Sequence, residues 1–81
     1  MPGARDESLI TAFGAVLADL RATRGLSQEA LAHEAGLDRT YVGRVEQGAR
    51  QPTLSVVFAL AKALGVAPET LVARTRSRLA G

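Results

Sequence analysis

Apolar residues recur along this chain at helical spacing, in runs that a glycine closes. Between about residues 8 and 23, Phe13, Leu17 and Leu20 mark one stripe of a first helix. Leu31, Ala32 and Ala35 share a face of a second, shorter run. Leu54, Val57, Leu60, Ala61 and Leu64 do the same in a later one. Gly25, Gly36, Gly48 and Gly65 each follow such a run, where a residue in the left-handed conformation ends a helix. The starts are marked as well: Ser27, Asp38 and Thr53 stand where an N-cap side chain would accept from the first turn. Pro68 fits the first turn of a fifth helix reaching to about Thr75 or beyond. The pattern predicts an all-α chain of five helices, one domain over 1–81 with its core over 8–75. The stretches "MPGARDE" and "RLAG" read as loose ends.

The second and third helices are short, and "AGLD" joins them. A glycine turn of that length sets two helices at a steep angle, a helix-turn-helix over about residues 27–47, with Leu37 plugging the angle. With Arg39 at zero and about 100° per residue, Gly43, Gln47, Thr40 and Arg44 fall within about 140° of it. Tyr41, Val42 and Val45 fall on the other side, and Glu46 lies on the border. One side can be core. The other presents two arginines, a threonine and a glutamine with no acidic residue among them. A solvated face is the plain reading of such a side. Gly43 counts against it, because glycine costs a helix interior about 1 kcal/mol relative to alanine with no gain in solubility. It would let the helix approach a DNA edge or phosphate closely. The second helix of such a pair is also the one that enters the major groove.

Composition narrows the chemistry. With 81 residues there is room for one small core and little for an enzyme cleft. Cysteine is absent and His33 is the sole histidine, which removes disulfides and most metal and acid–base schemes. No nucleophile–base pair and no phosphate-binding glycine loop is present, so no enzyme and no cofactor is expected. The longest apolar run, "SVVFALAKALGV", is broken by Lys62 and is too short for a bilayer, and the N-terminus has no signal-peptide core. A cytoplasmic, membrane-free protein is the expectation. Net charge is only +2, but nine of the ten basic residues are arginine. Arginine suits bidentate contact with phosphates and guanine edges, though a GC-rich genome also supplies it.

The segment "GLSQEALAHEAGLDRTYVGRVEQGARQPTLSVVFALAKALGV", residues 25–66, strongly resembles the helix-turn-helix domain of the phage-repressor (XRE) superfamily. The blocks "LSQEALA", "VEQG" and "LAKALGV" carry the likeness together. The resemblance implies a five-helix lambda-repressor-like DNA-binding domain. "LDRTYVGRVEQGARQP" is similar to the controller proteins of restriction–modification systems, small homodimers that bind operators. By that likeness Gln28 contacts the DNA backbone and buttresses the third helix. Arg39, Thr40 and Arg44 reach base edges, and Arg50 makes a phosphate or groove contact. Gly43 and Gln47, on the same side of the helix by spacing, complete the candidate DNA-binding set. Tyr41 projects inward as core, or offers its hydroxyl to a phosphate. Glu46 matches a position that pairs with an arginine of the first helix, here Arg21. Relatives carry basic residues where this chain has Ala18 and Ala49, which thins the expected phosphate grip.

Other features stay open. His33 reads as a surface residue. Arg74, Arg76 and Arg78 read as a solvated helix end, or as a contact to flanking DNA or an acidic partner. Phe58 falls off the stripe of its helix; with Leu71 or Val72 it would suit a dimer seam, or it is core. The leading expectation is a regulator that binds a palindromic operator on double-stranded DNA as a homodimer, through helix five and the end of helix four. Antitoxin, phage-type repressor and protein-interaction adaptor are the alternatives.

Overall fold

The computed structural model describes residues 5–81. It holds five helices and, among the described residues, no strand: α1 (Glu7–Thr23), α2 (Gln28–Ala35), α3 (Arg39–Glu46), α4 (Leu54–Leu64) and α5 (Pro68–Ala80). The three expected caps are in place. Ser27 Oγ accepts from Ala30 N–H at 3.0 Å, Asp38 Oδ1 from Thr40 N–H at 2.9 Å and Thr53 Oγ1 from Val56 N–H at 3.2 Å. A fourth lies in a stretch expected to be loose: Asp6 Oδ1 accepts from Leu9 N–H at 3.0 Å and fixes the start of α1. The other expected loose end is helical too, since α5 continues to Ala80. Residues 1–4 of "MPGARDE" lie outside the described residues.

Helix α1 packs on α3 and α5, α2 on α3 and α4, and α4 on α5. The core lies where these contacts meet. Leu17, Leu31, Leu60, Leu64, Leu71, Val42 and Val45 are its fully buried large side chains. Phe13 and Leu20 of α1 join them, as the stripe predicts, and Leu37 and Ala35 pack at the edge. One expectation fails here. Leu54 is 73 % exposed although it shares the stripe of α4. Of the two residues considered for a seam on α5, Leu71 is buried and Val72 is 59 % exposed.

Two close approaches set how the helices lie. Gly14 is buried in α1 beneath the end of α3, and a Cβ there would meet the carbonyl oxygens of Val45 and Glu46, the latter at 2.6 Å. At the other end of α1, the Arg24 guanidinium donates to the Leu64 carbonyl, at the C-terminus of α4. A cation there also complements the negative end of the helix dipole. No single helix among the described residues is long and apolar enough to cross a membrane.

Candidate nucleic-acid interface

Helix α3 is aimed by one carboxylate. Glu46 lies on its border face with a side chain only 6 % exposed. It accepts from Arg21 Nε at 2.6 Å and Arg21 Nη2 at 3.1 Å, a forked pair from α1. It also accepts from Gln28 Nε2 at 2.9 Å, from the first residue of α2. Arg21 Nη1 donates to the Leu26 carbonyl at 2.8 Å, so the turn into α2 is tied to the same group. The hydrogen bond to Glu46 holds the Arg21 guanidinium above its ordinary pKa, against a smaller opposing effect of burial. Arg21 is therefore committed to structure.

With the inner face of α3 buried through Val42 and Val45, its outer face stands in solvent. Arg39, Thr40, Arg44 and Gln47 are all exposed. Among the described residues neither Arg39 nor Arg44 enters an ion pair, in contrast to Arg5, Arg21 and Arg78. The structure thus brings Arg39, Thr40, Arg44 and Gln47 together on one eight-residue helix and its cap.

Gln28, Gly43 and Arg50 are placed less simply. Gln28 is half-buried at the seam between α2 and α3 and gives its amide N–H to Glu46. Gly43 faces that same side chain, with Gln28 Oε1 3.4 Å from where a Cβ would stand. The space beside Gly43 is therefore occupied on one side by Gln28 rather than wholly open. Arg50 lies in the loop after α3, exposed, with its guanidinium carbon 5.2 Å from the centroid of the Tyr41 ring. Tyr41 is half-buried against the core. Nothing in the sequence announces this stack, since the two residues lie nine positions apart across the Gly48 turn.

A second feature lies away from α3. An apolar groove of about 410 Å³ runs between α1, the loop before α4, and α5, lined by Leu9, Ile10, Phe13, Val57, Val72 and Leu79 among others. Phe58, 55 % exposed, borders another apolar hollow on α4, with Val66 and Pro68. The exposed apolar residues of α4 are Leu54 and Phe58, in its first half rather than at its end.

Comparison with known proteins adds four findings. Residues 12–75 match the family model described as a helix-turn-helix domain. The chain is 39% identical over 79 residues to a Neisseria meningitidis protein described as a hypothetical transcription factor, covering 98% of this chain and 73% of that one. Among solved structures, the restriction–modification controller protein C.AhdI from Aeromonas hydrophila superposes with a TM-score of 0.76 at 48% identity, over 76% of this chain and 94% of that one. The controller protein C.Esp1396I, solved as a tetramer with its natural 35 base-pair operator, gives 0.83 at 26% identity, over 90% and 96%.

Proposed function

The chain belongs to the helix-turn-helix domain family as a transcriptional regulator, and from that premise we propose that it reads a palindromic operator as a homodimer, in the manner of a restriction–modification controller protein. The observation that carries the reading is the outer face of α3, where Arg39, Thr40 and Arg44 stand exposed over a wholly buried Val42 and Val45. A helix so anchored presents its arginines as a rigid edge to a major groove. Each guanidinium can bridge two acceptors of a guanine, and Thr40 can touch a thymine methyl or a phosphate. Gln28, at the start of α2, and Arg50, beyond α3, flank that face and serve the DNA backbone in this reading. Gln47 extends the face, and Gly43 keeps it low.

One such unit reaches few base pairs, so two units one helical turn apart supply the specificity. Support for a dimer comes from the exposed Phe58, Val72 and Leu79, apolar groups on α4 and α5 that are not part of the α3 face.

The test is binding to the DNA upstream of the protein's own coding sequence, against random DNA of equal length, at several salt concentrations. The upstream site should survive competitor DNA, and affinity should fall steeply with salt. Arg39→Ala and Arg44→Ala should each reduce discrimination against a wrong base by about fivefold to 150-fold. Equal affinity for both DNAs would sink the operator reading. An equal loss on both would make the two arginines phosphate contacts.

A further inference from the structure

An arginine can be held in place by its edge or by its face. Arg21 and Arg24 are held by the edge: each gives N–H groups to protein oxygens, Arg21 to Glu46 and Leu26, Arg24 to Leu64. Arg5 and Arg78 likewise face carboxylates, of Glu7 and Asp19. Arg50 is held by a ring instead. Its guanidinium lies over the Tyr41 ring, and a ring attracts a cation through its π cloud without accepting the in-plane N–H bonds. Among the described hydrogen bonds and ion pairs Arg50 makes none, so its five N–H donors stay uncommitted to the protein.

The backbone beneath Arg50 is fixed as well. Gly48 takes a φ of 76° and sits against Thr11 of α1, with 3.1 Å from its would-be Cβ to Thr11 Oγ1. Ala49 N–H closes the turn onto the Arg44 carbonyl at 2.8 Å. The turn fixes where Arg50 leaves the chain, and the ring fixes where its charge ends up. Tyr41 is itself half-buried in α3, so ring and guanidinium move with that helix.

We propose that Tyr41 is a positioning residue for Arg50: its ring pre-sets the guanidinium beside α3 for an oxygen of bound DNA. The ring does this work and the hydroxyl does not. The proposal rests on the operator-binding reading above. The oxygen is a phosphate or a guanine edge. A phosphate contact weakens upstream and random DNA alike when Arg50 is removed, whereas a guanine contact weakens the upstream site alone.

The experiment has one arm without DNA and one with it. In NMR spectra of the protein alone, the ring current should shift the Arg50 side-chain protons upfield. That shift should persist in Tyr41→Phe and vanish in Tyr41→Leu. The assignment is simple, because Tyr41 is the sole tyrosine and there is no tryptophan. In fluorescence anisotropy, run below the melting temperature of every variant, Tyr41→Phe should bind as the wild type does. Tyr41→Leu should bind about two- to fivefold more weakly per half-site. The double variant Tyr41→Leu/Arg50→Ala should bind no more weakly than Arg50→Ala alone. Three results would each overturn the proposal: no upfield shift, Tyr41→Phe as weak as Tyr41→Leu, or additive losses in the double variant. A wild type that prefers no DNA sinks the operator reading and Arg50's role with it, while the NMR arm still decides whether the stack exists.

Discussion

Replacing glycine by alanine inside a helix ordinarily stabilises it, and at Gly14 the reverse is expected. The usual gain is about 0.5–1 kcal/mol, from the unfolded glycine's greater freedom and alanine's better helix propensity. At Gly14 the added methyl would lie 2.6 Å from the Glu46 carbonyl oxygen and nearer still to that of Val45. The first distance alone falls about 0.7 Å short of ordinary carbon–oxygen contact. Both obstacles are backbone, so no rotamer change relieves them, and α1 must move away from α3. That motion strains the Arg21–Glu46 fork, which spans the same two helices. Overpacking of this kind costs about 1–3 kcal/mol. With the propensity gain set against it, Gly14→Ala should destabilise by about 1–2 kcal/mol, which for a chain of this size lowers the melting temperature by roughly 5–15 °C. Gly43→Ala is the internal control. Its methyl would meet only the Gln28 side chain at 3.4 Å, an ordinary contact, so the propensity gain should survive as a rise of a few degrees. Thermal and urea melts of both variants, followed by circular dichroism, make the comparison. A Gly14→Ala protein as stable as the wild type would refute the close approach of α1 and α3.

Glu46→Ala leaves the Arg21 guanidinium with the Leu26 carbonyl alone. Because the Arg21 side chain keeps 20 % exposure, the loss should fall at the low end for a broken buried pair, about 2–3 kcal/mol, seen as a lowered urea midpoint. Arg21→Ala combined with Glu46→Ala should lose less than the two single losses added, and strict additivity would argue against the pair. Phe58→Glu, on the proposed dimer face, should shift the protein towards monomer in sedimentation equilibrium with its melting temperature little changed. An unaltered dimer would place the interface elsewhere. Leu54→Lys should leave core stability within about 0.5 kcal/mol despite its place in the apolar stripe, and a larger loss by urea melt would mean that Leu54 is covered in the folded molecule.

The caps and stops were the most legible part of this fold, because each is a local transaction. Asp38 reaches two residues and Ser27 and Thr53 reach three, so a window of a few letters contains both partners. Asp6 obeys the same rule, three residues before Leu9, in a stretch whose proline, glycine and charges read as a loose end. Helical period placed Val42 and Val45 inward and Arg39, Thr40 and Arg44 outward, and the exposures agree. It failed at Leu54, since period fixes an angle about the axis and not whether anything stands opposite. The Arg21–Glu46 pair came from the family likeness rather than from spacing. Arg24 on the end of α4, Gly14 beneath α3 and Arg50 on Tyr41 were illegible for one reason: each joins segments whose meeting is decided by the whole fold.

The division of labour on α3 also bears on how such a protein could be altered, by selection or by design. What aims the helix (Glu46, Val42 and Val45) and what it displays (Arg39, Thr40, Arg44 and Gln47) are different residues interleaved on two turns. Among the described hydrogen bonds and ion pairs, the displayed side chains make none with the rest of the protein. They can be exchanged for other polar residues at little risk to folding. The scaffold is in that sense a holder with a replaceable tip.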